Sequence, residues 1–284
     1  MSHKIDTHHH FWKYNAEEYN WIDEKMQKIR RDFLPDELED TIQEVGVTGV
    51  ISVQARQTLQ ETAWLLNLAS EHAFILGVVG WAPLTSPSVG RDLERFARHP
   101  KFKAVRHVLH DEPDDFYMLR DDFNKGISVL KSLELTYDLL IFEKHLPQTM
   151  KFVDRHPYQR FVVDHLAKPR IREGILSPWR ENLKELAKRE QVSCKLSGLV
   201  TEADDESWTE GELFPYMEIT MEAFGPERVM FGSDWPACLV AATYKRWFDA
   251  ASRYIDQLSE TEQQQIWHQT AQEAYHLALP SETA

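Results

Sequence analysis

A chain of 284 residues is longer than a small domain but within reach of one large α/β unit, which routinely takes about 250 residues. Its formal net charge of −14 argues against nucleic acid and anionic membranes as partners, since neutralising phosphates needs a basic surface. No apolar run reaches the ~20 residues that span a bilayer, and no signal-peptide core precedes the first motif, so a cytoplasmic protein is expected. With 42% hydrophobic residues there is ample material for a core, and one domain over residues 1–284 is the default. Cys194 and Cys238 have no CxxC partners and read as buried packing residues.

The first apolar run, Ile5 to His10, predicts a strand. Side chains two apart on a strand share a face, so this one aims His8 and His10 at one place. An aromatic and polar insertion at about 13–33 follows, too irregular for one amphipathic face, and is expected to pack over the nearby site. Pro35 to Val45 reads as a helix, with Pro early, acids in its first turn and Gly46 as its stop. From there strand-like and helical runs alternate. Strands are predicted at Val47–Val53, Phe74–Trp81, Phe102–Leu109, Thr136–Phe142, Arg160–Asp164, Val192–Leu196 and Arg228–Phe231. The helices between them include Leu59–His72, Val89–Ala97, Pro147–Arg155, Pro178–Glu190 and Leu213–Phe224, and Tyr244–Leu258 and Thr261–Leu277 close the chain. Eight strands alternating with helices is the pattern of a single-domain (β/α)8 TIM barrel, class α/β.

In such a barrel the site lies at the C-terminal strand ends. The polar residues predicted there are His8 and His10, Arg106 and His107, Asp164 and His165, Lys195 and Ser197, and Ser233 and Asp234. All fall at one end. Arg106 and His107 alternate in direction, so at most one of them enters a regular barrel. Arg106 also has a structural alternative, pairing with an acid such as Asp111. The downstream histidines, among them His110 and His145, sit in predicted helices or loops and read as solvated.

Three segments carry a resemblance: Ile5-Asp6-Thr7-His8-His9-His10-Phe11-Trp12, Val162-Val163-Asp164-His165-Leu166-Ala167-Lys168-Pro169 and Met230-Phe231-Gly232-Ser233-Asp234-Trp235-Pro236. Their order and spacing resemble the signature of the amidohydrolase superfamily, and more narrowly its amidohydrolase-2, sugar-lactonase branch. The similarity runs from residue 4 to about Leu277. It implies a barrel that hydrolyses the ring ester of a small-molecule sugar lactone. The implied metal or polarising set is His8, His10, His165 and Asp234, with one divalent metal such as zinc, or none. The fifth strand runs out through Ile141-Phe142-Glu143-Lys144-His145 without the extra metal ligand of two-metal members, so a second ion is not expected.

Lactone hydrolysis needs an activated water, a polarised carbonyl and charge stabilisation for the oxyanion. Asp234 suits the base and His165 a catalytic partner. Arg106 suits an ester or carboxylate oxygen through its planar fork. His107 and Lys195 are candidate sugar contacts, and Trp12, Trp81 and Trp235 candidate stacking platforms. The alternatives are a decarboxylase of the same superfamily, which would bring an additional active-site His, and an inactive binding barrel. Homo-oligomerisation is left open.

Overall fold

The computed structural model describes residues 3–278; the first two and last six residues of the expected 1–284 domain lie outside them. Eight parallel strands follow chain order around one sheet. They are β1 (Ile5–His9), β2 (Gly49–Val53), β3 (Ile75–Gly80), β4 (Phe102–Val108), β5 (Thr136–Leu140), β6 (Phe161–Val163), β7 (Val192–Leu196) and β8 (Val229–Phe231). Helices cover the outside, so the strands are buried on both faces, which is why they read as nearly continuous β-branched runs. The fold is the expected TIM barrel.

Among the described residues the seam between β1 and β8 is held by individual bonds rather than by a strand ladder. His9 bridges Trp235, the His10 amide donates to the Trp235 carbonyl at 2.6 Å, and the Asp234 amide donates to the His8 carbonyl at 2.7 Å. Thr7 Oγ1 donates to the Phe231 carbonyl at 2.6 Å. Asp6, turned outward, accepts from the His8 and Ser233 amides at 3.1 and 2.8 Å and from the Tyr244 hydroxyl at 3.1 Å. Gly232 sits where the strands crowd: a Cβ there would lie 2.8 Å from the His8 Cβ. The closure thus fixes His8, His10 and Asp234 relative to one another.

The barrel floor is apolar. Ile5, Ile51, Val79, Ala104, Val162 and Met230 pack on Ala271, Ala274 and Tyr275 of the last helix. That helix departs from the expected continuous Thr261–Leu277 and runs as Glu260–Gln264, a π turn at Gln265–Gln269 and Thr270–Tyr275. It plugs the N-terminal end, where Thr136 Oγ1 donates to the Ala274 carbonyl at 2.5 Å.

The insertion after β1 is pinned at its base by paired backbone bonds between Trp12 and Phe33 at 3.0 and 2.9 Å. A cluster of Trp12, Tyr19, Trp21 and Phe33 rings fills it, and a short 3₁₀ helix, Glu24–Ile29, capped by Asp23, reaches over the barrel mouth. Cys194 and Cys238 are buried and free. Among the described residues no helix is long and apolar enough to cross a membrane.

Candidate active site

His8 and His10 converge as the alternation of β1 requires, with their Nε2 atoms 3.3 Å apart. Asp234 Oδ1 lies 3.4 Å from His10 Nε2, 3.7 Å from His8 Nε2 and 4.0 Å from His165 Nε2. Hydrogen bonding around each ring assigns the tautomers. His10 Nδ1 is 2.8 Å from the Val53 carbonyl, which only accepts, and His8 Nε2 is 3.3 Å from Arg106 Nη1, which only donates, while His8 Nδ1 lies 3.3 Å from both an Asp164 carboxylate oxygen and Lys195 Nζ. Both rings therefore turn Nε2 lone pairs toward Asp234 Oδ1. A divalent cation satisfies all three acceptors at once: zinc bonds of about 2.0–2.1 Å set tetrahedral ligands about 3.3–3.4 Å apart, close to these separations. The carboxylate behind His8 and the carbonyl behind His10 are the usual outer partners of metal-bound imidazoles. Asp234 makes all three imidazole contacts through Oδ1, which leaves Oδ2 for water.

Two of these residues sit on unusual backbone. His165 to Lys168 form a left-handed turn, with φ between 51° and 60°, and Asp234 has φ 59°. Non-glycine residues in this region cost about 1–3 kcal/mol each and persist where the surroundings enforce them. Here the enforcement is visible. Trp179 Nε1 donates to the Leu166 carbonyl at 2.7 Å, and His165 Nδ1 meets Ser197 Oγ at 2.8 Å. Gly198, itself at φ +68°, leaves room for the ring: a Cβ there would lie 2.5 Å from His165 Nδ1.

Under the histidines lies a buried ionic layer. Arg106 Nη1 donates to Asp164 at 3.0 Å and lies 3.3 Å from His8 Nε2. Lys195 Nζ is 2.6 Å from Asp138 and 3.0 Å from Asp164, and the Tyr275 hydroxyl donates to Asp138 at 2.9 Å. Two acids face two cations, so the layer is neutral overall. Burial pushes the Asp164 carboxyl up, but Lys195, His8 and Arg106 together hold it well below its usual range. For Asp234 too, burial acts upward and is outweighed by the neighbouring His165, His10 and His8 imidazoles, so it is held below the ordinary carboxylate range. Burial drives His165 down to about 4 against the pull of Asp234 and Asp164. At neutral pH the site thus holds an ionised Asp234 beside a neutral His165.

Above these residues opens a cavity of about 330 Å³ lined by His10, Arg106, His165 and Asp234 among others. Of the other residues expected to touch substrate, five do not line it. His107 points to the helix side of β4, where it meets Glu112 at 2.6 Å, stacks on Tyr117 and accepts from Trp81 Nε1 at 3.3 Å. Trp81 is thereby used outside the barrel as well. Lys195 is fully buried in the ionic layer. Trp12 and Trp235 are core residues, because the insertion folds over both rings. The tryptophan in the cavity wall is Trp21, beside Met26 and Ile29. Arg106 pairs with Asp164 rather than Asp111.

His110 and His145 are not solvated. His145 is 1% exposed, and His110 lines the cavity, stacked on Phe142 with ring centroids 4.6 Å apart. Burial, with Lys168 and Arg106 nearby, takes His110 down to about 3. Asp138 was not singled out, and Asp164 was placed at its strand end without a role. Their signal was an acid inside an otherwise apolar strand or at its end, at a position shared with inward neighbours.

The chain is similar to known proteins along most of its length. The amidohydrolase family profile matches residues 5–277. The L-fucono-1,5-lactonase of Burkholderia multivorans is 39% identical, over 98% of each chain. That of Burkholderia ambifaria is 36% identical, over 86% of this chain and 84% of its own. A crystal structure of an amidohydrolase from Burkholderia multivorans with bound zinc superposes with a TM-score of 0.93 at 40% identity, covering 97% of this chain and 100% of that one.

Proposed function

The chain belongs to the amidohydrolase family, and on that premise we propose that it hydrolyses a sugar lactone to the open hydroxy acid, with L-fucono-1,5-lactone the first substrate to test. The observation that carries the reading is the convergence of two imidazole lone pairs on an ionised Asp234 whose Oδ2 is left over, at the floor of a sugar-sized cavity. Ester hydrolysis needs that combination of a basic oxygen and a place to polarise a carbonyl.

Asp234 takes the proton of the attacking water through Oδ2 and returns it to the ring oxygen as the tetrahedral intermediate collapses. Arg106 presents a fixed guanidinium at the cavity floor to the oxyanion, and His165 orients the carbonyl end of the lactone. His8, His10 and Asp234, with His165 at hand, would hold the metal. We assign zinc, since a donor set of imidazoles and one carboxylate suits it, and when bound it supplies Lewis acidity and a more acidic water. Asp164 and Lys195 are positioning residues that fix the His8 ring.

The decarboxylase reading is supported less. The curated relatives matched along most of the chain are lactonases, and the additional imidazole in the cavity wall, His110, is engaged with Phe142 and lies 3.3 Å from Asp111. The test is a panel of aldono-lactones followed by acid release, with carbon dioxide release from small aromatic acids measured in parallel. Ring opening that falls on treatment with a chelator and returns with zinc supports both halves of the reading. Carbon dioxide release without ring opening overturns it.

A further inference from the structure

Two side chains expected at the substrate and turned away from it by the fold, Trp81 and His107, are joined in a relay of their own. Trp81 Nε1 only donates, so His107 Nδ1 accepts its 3.3 Å bond, and His107 Nε2–H donates to Glu112 Oε1 at 2.6 Å. The imidazole is buried, with Tyr117 stacked on it at 5.2 Å between ring centroids and Phe123 at its edge. Beyond His107 the Val108 amide donates to Gln57 Oε1 at 2.9 Å, and the chain passes through the 3₁₀ turn Leu109–Asp111 before Glu112 reaches back to His107. His110 and Asp111, between the two ends of that clasp, both line the cavity. An imidazole and a carboxyl are hydrogen-bonding groups of the kind that orient a polyhydroxylated ligand.

The turn's own closing bond, from the Glu112 amide to the Leu109 carbonyl, is long at 3.3 Å, as is usual for 3₁₀ geometry. Its position is set from outside, by the His110 ring on Phe142 at one side and by the His107–Glu112 pair at the other. A hydrogen bond to an ionised acceptor is about twice as strong as a neutral one, so the second contact is the firmer. Resting on the lactonase reading above, we propose that His107 is a positioning residue of the reaction: the Trp81–His107–Glu112 relay fixes the turn that presents His110 and Asp111 to the lactone. The relay acts on a wall of the cavity and touches neither Asp234 nor its imidazole partners. Its loss therefore weakens ground state and transition state alike, which raises KM and leaves kcat in place.

The test is steady-state hydrolysis of L-fucono-1,5-lactone by the wild-type protein, His107→Leu, Glu112→Ala and His107→Gln, with a thermal melt of each. Leu removes both hydrogen bonds of the imidazole, Glu112→Ala opens the clasp from the loop without touching the strand, and Gln keeps a donor for Glu112 and an acceptor for Trp81. His107→Leu and Glu112→Ala should each raise KM by about tenfold or more while kcat stays within about threefold of wild type. His107→Gln should hold KM within about threefold. The double variant His107→Leu/Glu112→Ala should raise KM no further than His107→Leu alone, because the two residues act through one contact. A lowered melting temperature with KM unmoved, or a fall in kcat alone, is what a purely structural role gives and overturns the inference while the lactonase reading stands. If His107→Leu does not fold, Glu112→Ala decides by the same criteria. Failure of the wild-type protein to hydrolyse the lactone overturns that reading and the inference with it.

Discussion

Removing the Lys195 ammonium would leave Asp138 and Asp164 facing each other in the barrel with Arg106 as the remaining cation. Breaking a buried ion pair from one side typically costs about 3–5 kcal/mol. Lys195→Met should therefore lower the unfolding free energy by that amount in a urea titration. A loss under about 1 kcal/mol would contradict the assigned layer. Lys195 also shows where reading residues one at a time stops. Alternation along a strand correctly limited Arg106 and His107 to at most one inward side chain, because it is local geometry, but did not say which. Whether an inward side chain stops in the ionic layer or reaches the cavity depends on which acids wait at its depth, and Asp138 comes from β5 and Asp164 from the end of β6. The tryptophans failed for a related reason: an indole stacks on whatever the fold brings to it, and the insertion brought Phe33 to Trp12 and Trp235.

At the scale of elements, the turns after β6 and β7 act as one unit. Gly198→Ala would put a methyl where the His165 ring lies and force φ +68° on an alanine. The expected result is a loss of about 1–3 kcal/mol in stability together with a fall in kcat, both read on the purified variant. The β1–β8 seam carries a pH dependence. Burial raises the Asp6 carboxyl from 3.8 to about 6, against the lowering effect of its bonds to Ser233, His8 and Tyr244. The native state therefore holds that proton more tightly than the unfolded chain. The stability this contributes is complete below about pH 4 and is lost as pH rises through about 6. Urea titrations of the wild type at pH 4, 5, 6 and 7 should show that component, on the order of 3 kcal/mol, missing from Asp6→Asn. Strand and helix positions were legible because period and β-branching are local signals. The left-handed run at His165–Lys168 was not, since no residue in it favours that conformation.

On the scale of the whole molecule the barrel is layered along its axis. An apolar floor closed by the last helix lies beneath a neutral ionic layer, which lies beneath the histidines and Asp234, which open to the cavity. The order makes physical sense: the floor excludes water, the ionic layer fixes His8 without net charge, and the reactive carboxylate is left where water can reach it. His8 and His10 on β1, His165 after β6 and Asp234 after β8 were legible as a set because a parallel barrel delivers every strand end to one rim. The cavity walls were not, because the insertion, the turn after β6 and the segment after β8 meet only in three dimensions. The role of Asp234 as base is tested most directly by the steady-state hydrolysis of L-fucono-1,5-lactone by the wild-type protein and by Asp234→Asn. Turnover by the first should be efficient and kcat in the second lower by about 10³-fold or more, with the fold intact. Asp234→Asn retaining kcat within about tenfold of wild type would contradict it.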